Sequence, residues 1–255
     1  MSLKFGTDGI RGPVESLITP EACLKIGYAT GRVMKELGWD TVVIGKDTRI
    51  SGYMLESALQ AGFISSGVNV QLAGPLPTPG VAYLTKTLRK KFGVVISASH
   101  NDFLDNGIKI FNDNGEKISR DIERRIEKYI KSKIIPVETS KIGKAYRFDE
   151  SGPRYIEFCK SIVPSNISFS SLRIVIDCAN GACYKVSPKV FEELGAEVIT
   201  IGNEPDGYNI NKGCGSTNPD LIRANVVKHR ADYGISLDGD GDRVIIADQR
   251  GELLD

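Results

Sequence analysis

The chain has 255 residues, 41% of them hydrophobic and 25% charged, and a formal net charge of +1. That length suits two ordinary domains with real cores. Without a long Lys/Arg cluster or an apolar run of membrane length, the composition excludes the usual footprints of nucleic-acid and membrane binding.

The basic groups Arg89-Lys90-Lys91 and Lys131-Ser132-Lys133 read as solvated helix ends. Met1-Ser2-Leu3-Lys4-Phe5 lacks the apolar core of a signal peptide. Cys23, Cys159, Cys178, Cys183 and Cys214 are odd in number and form no CxxC pair. They fit a reducing cytoplasm better than a disulfide framework. With only His100 and His229 beside them, no zinc centre is expected.

Strand and helix patterns alternate along the chain. Thr19-Pro20 predicts an N-cap and a helix to about Leu37. Thr41 to Lys46 reads as a strand, and Ser51 as the cap of a helix ending near Gly67. Val68 to Ala73 follows as a strand, with Pro75, Pro77 and Pro79 punctuating the loop after it. A helix to about Arg89 leads to the apolar strand Val94-Val95-Ile96. Gly107 to Phe111 is a short strand, and Asn112 to Gly115 has turn chemistry. Ile122, Ile126, Tyr129 and Ile130 form a helical stripe flanked by the i,i+4 pairs Asp121/Arg125 and Glu127/Lys131.

Periodicity lapses between 132 and 150, which places a domain boundary there, with units at 1–150 and 151–255. Helix Ser151 to Val163, strand Leu172 to Asp177, helix Val186 to Leu194 and strand Ala196 to Ile201 open the second unit. The Gly/Asn/Pro-rich stretch 202–219 is long for a compact domain, and such loops tend to be functional. A helix and the strand Tyr233 to Leu237 follow. Val244 to Ala247 and the turn at 248–251 suggest a hairpin cut off in mid-strand, as in a fragment of a longer protein. The fold class expected is α/β: two consecutive domains, each a mainly parallel mixed sheet covered by helices.

Two stretches carry chemistry. Residues 97–101 read SASHN and put polar groups at the carboxyl end of a buried strand, where ligands bind in open α/β sheets. Residues 238–243 read DGDGDR. Alternation along a strand would put Asp238, Asp240 and Asp242 on one face, and the glycines let oxygen ligands converge on one divalent cation. An EF-hand is excluded, because its sixth position is Arg243 and its twelfth Gln249.

A hydrolase nucleophile at Ser99 has no G-x-S-x-G elbow. In an extended segment the His100 ring would point away from Ser99, and His229 sits in a charged helical stretch. A loop-capping hydroxyl is the plain alternative. The other is a phosphoryl carrier, with Mg²⁺ joining three carboxylates to a phosphoserine. Lys109 and Arg11 would neutralise charge or manage a proton.

The stretches FGTDGIRG (5–12), GKDTRISG (45–52), GPLPTPGVAYLT (74–85), SASHN with DNGIK (97–109), GCGSTNP (213–219) and DGDGDR (238–243) occur here in one order and spacing. In them the chain resembles the N-terminal half of the α-D-phosphohexomutases, and of their bacterial phosphoglucosamine mutase branch. The resemblance covers all 255 residues. It implies a phosphoserine at Ser99 and Mg²⁺ on its phosphate with Asp238, Asp240 and Asp242. It also implies proton management or charge stabilisation by Arg11 and Lys109, and a phosphoserine environment that includes His100 and the substrate-binding Arg243.

The implied reaction interconverts glucosamine 6-phosphate and glucosamine 1-phosphate through glucosamine 1,6-bisphosphate, for UDP-N-acetylglucosamine synthesis. The implied partner is a small sugar phosphate, and a homodimer is in keeping with the family. Later domains with the sugar-reading loop are expected elsewhere. One departure is visible: the family's SHNP is SHND here, with Asp102 in place of a loop-stiffening proline. Alternatives are a phosphomannomutase or phosphoglucomutase, a phosphatase using Asp238, and a non-catalytic sugar-phosphate-binding protein.

Overall fold

A computed structural model describes residues 3–88 and 91–254, so Arg89 and Lys90 of the basic group lie outside the described residues. The first sheet is built from β1 (Ile10–Pro13), β2 (Thr41–Lys46), β3 (Asn69–Pro75), β4 (Lys91–Ile96), β5 (Asp105–Phe111) and β6 (Ala145–Arg147). Its spatial order is β1-β5-β4-β2-β3-β6. Strands β4, β2, β3 and β6 run parallel, while β5 and β1 add antiparallel at the other edge.

Helices α1 (Pro20–Glu36), α2 (Ser51–Ser65), α3 (Thr78–Thr87) and α4 (Arg120–Ile130) cover this sheet. Consecutive residues of β2 point to opposite faces, so Val42 and Ile44 enter one core and Val43 another. The first core joins them to Ile26 and Val33 of α1, Leu55 and Phe63 of α2, and Ile126 of α4. Fully burying one such side chain contributes about 1.5–3 kcal/mol.

The second unit holds α5 (Ser151–Ser161), β7 (Arg173–Asp177), α6 (Val186–Glu193), β8 (Glu197–Ile201), α7 (Pro219–His229), β9 (Tyr233–Leu237), β10 (Val244–Asp248) and β11 (Leu253–Leu254). Its sheet order is β11-β10-β9-β7-β8, with β9, β7 and β8 parallel. Ile174 and Ile176 pack with Phe191 of α6 on one face, and Val175 with Ile222 and Val226 of α7 on the other. Val186 and Val190 of α6 join Leu76, Val81 and Leu84 in one shared core. That core locks the two units together and fixes where their loops meet.

Several local expectations change. Thr19 caps α1 as expected, accepting the Ala22 amide at 3.2 Å; the changes lie elsewhere. Ser51 is the first helical residue of α2 rather than its cap; Ile50 holds the cap position without a side-chain bond. Arg125 pairs with Glu36 at 2.6 Å, and Glu127 accepts the Phe5 amide at 2.9 Å. These side chains tie α4 to other elements instead of bracing it along its own face. Strands β1 and β6 have no apolar alternation to announce them: only Ile10 of β1 is buried and β6 is wholly exposed.

Candidate active site

The strand β4 delivers Ser97 to a tight loop. Ser97 Oγ accepts the Ser99 amide at 2.9 Å, and the Asn101 amide donates to Ala98 O at 3.1 Å. Ser99 takes a left-handed backbone, φ 52°, which is rare for a residue with a Cβ. The conformation turns its buried hydroxyl toward the second unit, where Ser99 Oγ donates to Asp238 Oδ2 at 2.6 Å. It also brings His100 back. The His100 Nδ1 lies 3.4 Å from Ser99 Oγ, so the expectation of a ring pointing away fails because the segment is not extended.

The three carboxylates do not share a strand face. They sit on the turn between β9 and β10, and the turn itself makes them converge. The Gly241 amide donates to Asp238 O at 3.1 Å, with Gly241 at φ 69°. The amides of Asp242 and Arg243 donate to Asp238 Oδ1 at 3.2 and 3.1 Å. One oxygen from each of Asp238, Asp240 and Asp242 then lies within 4.8 Å of the others.

The first unit supplies the remaining contacts. Thr78, at the start of α3, donates to Asp240 Oδ2 through Oγ1 at 2.5 Å and to Asp240 O through its amide at 2.8 Å. Lys109 Nζ, from β5, lies 2.9 Å from Asp240, 3.0 Å from Asp242 and 3.0 Å from Asp8. Arg11 sits on β1 opposite Gly107, and its buried Nε has no hydrogen-bond partner among the described residues. Arg243 is exposed at the end of the aspartate turn. His229 lies at the end of α7, outside this cluster.

Burial and mutual repulsion set the electrostatics. Burial, then the neighbouring Asp240, pushes the Asp238 carboxyl up to about 6. Burial would raise Asp240 too, but the Lys109 ammonium and the Thr78 hydroxyl hold it below the usual carboxylate range. Burial alone would lower Lys109; Asp240 and Asp242 outweigh it and keep the ammonium above its ordinary value. Lys109 is therefore a fixed positive charge beside the carboxylates, not a base near neutrality. Burial, then the cations Arg243 and Arg11, lowers His100 and favours its neutral imidazole.

Asp240 Oδ1 is buried with no hydrogen-bond partner among the described residues. An orphaned carboxylate oxygen is costly unless a cation takes it. With the converging oxygens of Asp238 and Asp242, it forms a hard, all-oxygen donor set that fits Mg²⁺. Asp238 must lose its proton to act as a ligand, so Mg²⁺ affinity is expected to fall as pH drops through about 6. Calorimetric titration at pH 5 should show roughly tenfold weaker binding than at pH 7. Without metal, the same raised carboxyl affects stability in the opposite sense. The Asp238 contribution is largest below its ordinary value of 3.8 and is lost as pH rises through about 6.

Several of these residues escaped the sequence reading. Arg49 is wholly buried, pairs with Asp47, and donates to the carbonyls of Ser99, Asn101 and Asp102. Asn211, from the long 202–219 loop, donates to Ser99 O and Asn101 O, both at 2.9 Å. The GKDTRISG stretch and the length of that loop were the only signals, and neither says which side chain turns inward. Asp102 is exposed, and its Oδ1 accepts the Leu104 amide at 2.9 Å. It caps the turn that a proline would otherwise stiffen. An apolar cavity of about 300 Å³ lies at the joint of the units, lined by Pro77, Tyr155, Cys183 and Gly241. It includes neither Ser99 nor the carboxylates, so the chemistry is elsewhere.

Two α/β units meeting at a serine loop and an aspartate turn define the class. The profile of phosphoglucomutase/phosphomannomutase alpha/beta/alpha domain I matches residues 2–134, and that of domain II matches residues 153–251. The chain belongs to the phosphoglucomutase/phosphomannomutase family. It is 57% identical over 252 residues to the phosphoglucosamine mutase of Legionella pneumophila strain Lens, covering 98% of this chain and 55% of that one. It is 56% identical to the phosphoglucosamine mutase of Alkalilimnicola ehrlichii, covering 98% and 56%. The chain thus spans about half the length of these relatives.

Among solved structures, a phosphoglucomutase/phosphomannomutase family protein from Burkholderia thailandensis superposes with a TM-score of 0.85 at 26% identity. That match covers 98% of this chain and 55% of that one. The open form of the Paramecium phosphoglucomutase pp63/parafusin shares the fold, with a TM-score of 0.75 at 16% identity and coverage of 98% and 53%. Among the described residues no helix is long and apolar enough to cross a membrane.

Proposed function

We propose that this chain carries the phosphoryl-transfer centre of a phosphoglucosamine mutase. Residues 1–150 would supply the phosphoserine loop and 151–255 the metal-binding turn. The observation that carries the reading is the Ser99 hydroxyl, held 2.6 Å from Asp238 inside a cluster of three carboxylates. The 57% identity to relatives named phosphoglucosamine mutase supports glucosamine over glucose or mannose as the sugar.

In the loading half-reaction, Ser99 Oγ attacks one phosphorus of glucosamine 1,6-bisphosphate. Its proton passes to the neutral His100 imidazole, whose Nδ1 lies 3.4 Å from Oγ, so that Asp238 stays ionised as a ligand. The phosphorus–oxygen bond to the sugar breaks, and the sugar oxygen takes up the proton that Ser99 released and leaves as a hydroxyl. The reverse step, with the intermediate turned round, regenerates the bisphosphate and then the other monophosphate. Asp238, Asp240 and Asp242 would hold Mg²⁺, which when bound neutralises phosphate charge and draws electron density from the transferring group. Lys109 pairs with Asp240 and Asp242 and keeps Asp240 ionised as a ligand. Arg11 presents an uncommitted Nε to the incoming phosphate.

Sugar recognition would come from the length of the relatives that this chain does not span. Synthesis of a UDP-N-acetylglucosamine precursor, a cytoplasmic location and a homodimer belong to the same proposal; five free thiols agree with a reducing compartment. The test is turnover. The complete protein, primed with glucosamine 1,6-bisphosphate and Mg²⁺, is expected to convert glucosamine 6-phosphate faster than glucose or mannose 6-phosphate. Preference for either of the other sugars would reassign the substrate.

A further inference from the structure

We infer that Arg49 and Asn211 are positioning residues that clamp the serine loop from its two sides and hold Ser99 in the backbone conformation facing the aspartate turn. The inference deepens the phosphoserine reading above and rests on it.

A left-handed serine persists only where its surroundings over-determine it. The loop's own bonds close one turn, from the Asn101 amide to Ala98 O, and hold the Ser99 amide on Ser97 Oγ. No backbone amide among the described residues donates to the carbonyls of Ser99, Asn101 or Asp102. Side chains do so instead. From the first unit, Arg49 Nη2 donates to Ser99 O at 3.2 Å and Asn101 O at 2.6 Å, and Nε to Asp102 O at 3.2 Å. Its remaining edge faces Asp47, so the buried charge is paired. From the second unit, Asn211 Nδ2 bridges the same Ser99 and Asn101 carbonyls.

A planar guanidinium with donors in a fixed fork suits this task, because it sets the distance between carbonyls as well as binding them. Asn211 adds a dependence on the second unit. It stands on the 202–219 loop in a left-handed turn of its own, φ 59°, with its amide on Ala179 O at 2.8 Å. Part of the hold on the serine therefore depends on that loop being seated. Neither Arg49 nor Asn211 bonds to a carboxylate of the aspartate turn; the hydrogen bond that links the loop to that turn is the one from Ser99 Oγ to Asp238.

The experiment compares the wild-type chain with Asn211→Ala, Asn211→Asp and Arg49→Lys. It measures acid-stable phosphate entering Ser99 from glucosamine 1,6-bisphosphate with Mg²⁺, Mg²⁺ affinity, and amide exchange over residues 97–102. Asn211→Ala should slow loading roughly 10- to 100-fold at saturating bisphosphate, as expected for a small misplacement of the reacting atom. Its KM should stay within about twofold of wild type, and its Mg²⁺ affinity should fall less than its loading rate, because Asn211 bonds to no carboxylate of the turn. Exchange should rise over 97–102 and not elsewhere. Asn211→Asp keeps the shape but replaces the donor by an acceptor, so it should lose at least as much. Arg49→Lys keeps the charge without the fork and should also slow loading. Normal loading rates and normal protection in Asn211→Ala and Asn211→Asp would overturn the clamp alone. A wild-type chain that never takes phosphate on Ser99 would remove the phosphoserine reading and the clamp with it.

Discussion

Asp240→Asn is expected to weaken Mg²⁺ binding by roughly 100-fold and to slow phosphoryl transfer in step. Losing even a hydrogen-bond partner of a metal ligand commonly costs 10- to 100-fold, and here a direct ligand is lost. Asp240 is the most committed of the three. It is fully buried, one oxygen is shared by Thr78 and Lys109, and the other is buried with no hydrogen-bond partner among the described residues. Asparagine fills the same space but puts an amide where an anionic oxygen belongs. Lys109 keeps Asp242 and Asp8, so it is not left as an isolated buried charge. The fold should survive, and far-UV circular dichroism should match wild type. Calorimetry showing unchanged Mg²⁺ affinity in Asp240→Asn would move the metal site elsewhere.

Gly239→Ala should be nearly as damaging, though it removes no functional group. A Cβ at Gly239 would lie 2.6 Å from Ser99 O and 2.7 Å from Asn211 Nδ2. Neither neighbour can yield cheaply: one is backbone, and the other is an amide already bonded to the serine loop. The aspartate turn must back away from Ser99, lengthening the 2.6 Å contact on which transfer depends. A displacement on the order of 1 Å can cost about 100-fold in rate. Overpacking should also cost about 1–3 kcal/mol of stability. Phosphate loading of Ser99 and denaturant unfolding, measured on one preparation, check both. Wild-type loading in Gly239→Ala would mean that the two loops need not touch.

The candidate residues were more legible in the sequence than the way they come together. Three aspartates alternating with glycine between apolar strands announce a cation site by charge alone. How they converge was hidden, because a turn closed by Asp238 and a strand face both accommodate DGDGD. The Ser99 loop was visible at the end of a buried strand. Its left-handed turn was not, since Ser99 carries a Cβ and nothing in SASHN marks a positive φ. That one angle reverses the expected place of the His100 ring. Arg49 shows a different limit. A lone arginine in a polar stretch reads as solvated, and only the fold brings Asp47 and three loop carbonyls around it. Strand β1 was missed because Gly12 and Pro13 interrupt any alternation, yet it places Arg11 at the site.

The most direct measurement is the position and chemistry of the transferred phosphate. The chain is incubated with glucosamine 1,6-bisphosphate and Mg²⁺, then digested and mapped by mass spectrometry before and after mild acid and base treatment. One phosphate on Ser99, stable to acid, and none in Ser99→Ala is the expected result. A phosphate that is labile as an acyl phosphate and maps to Asp238 would contradict it.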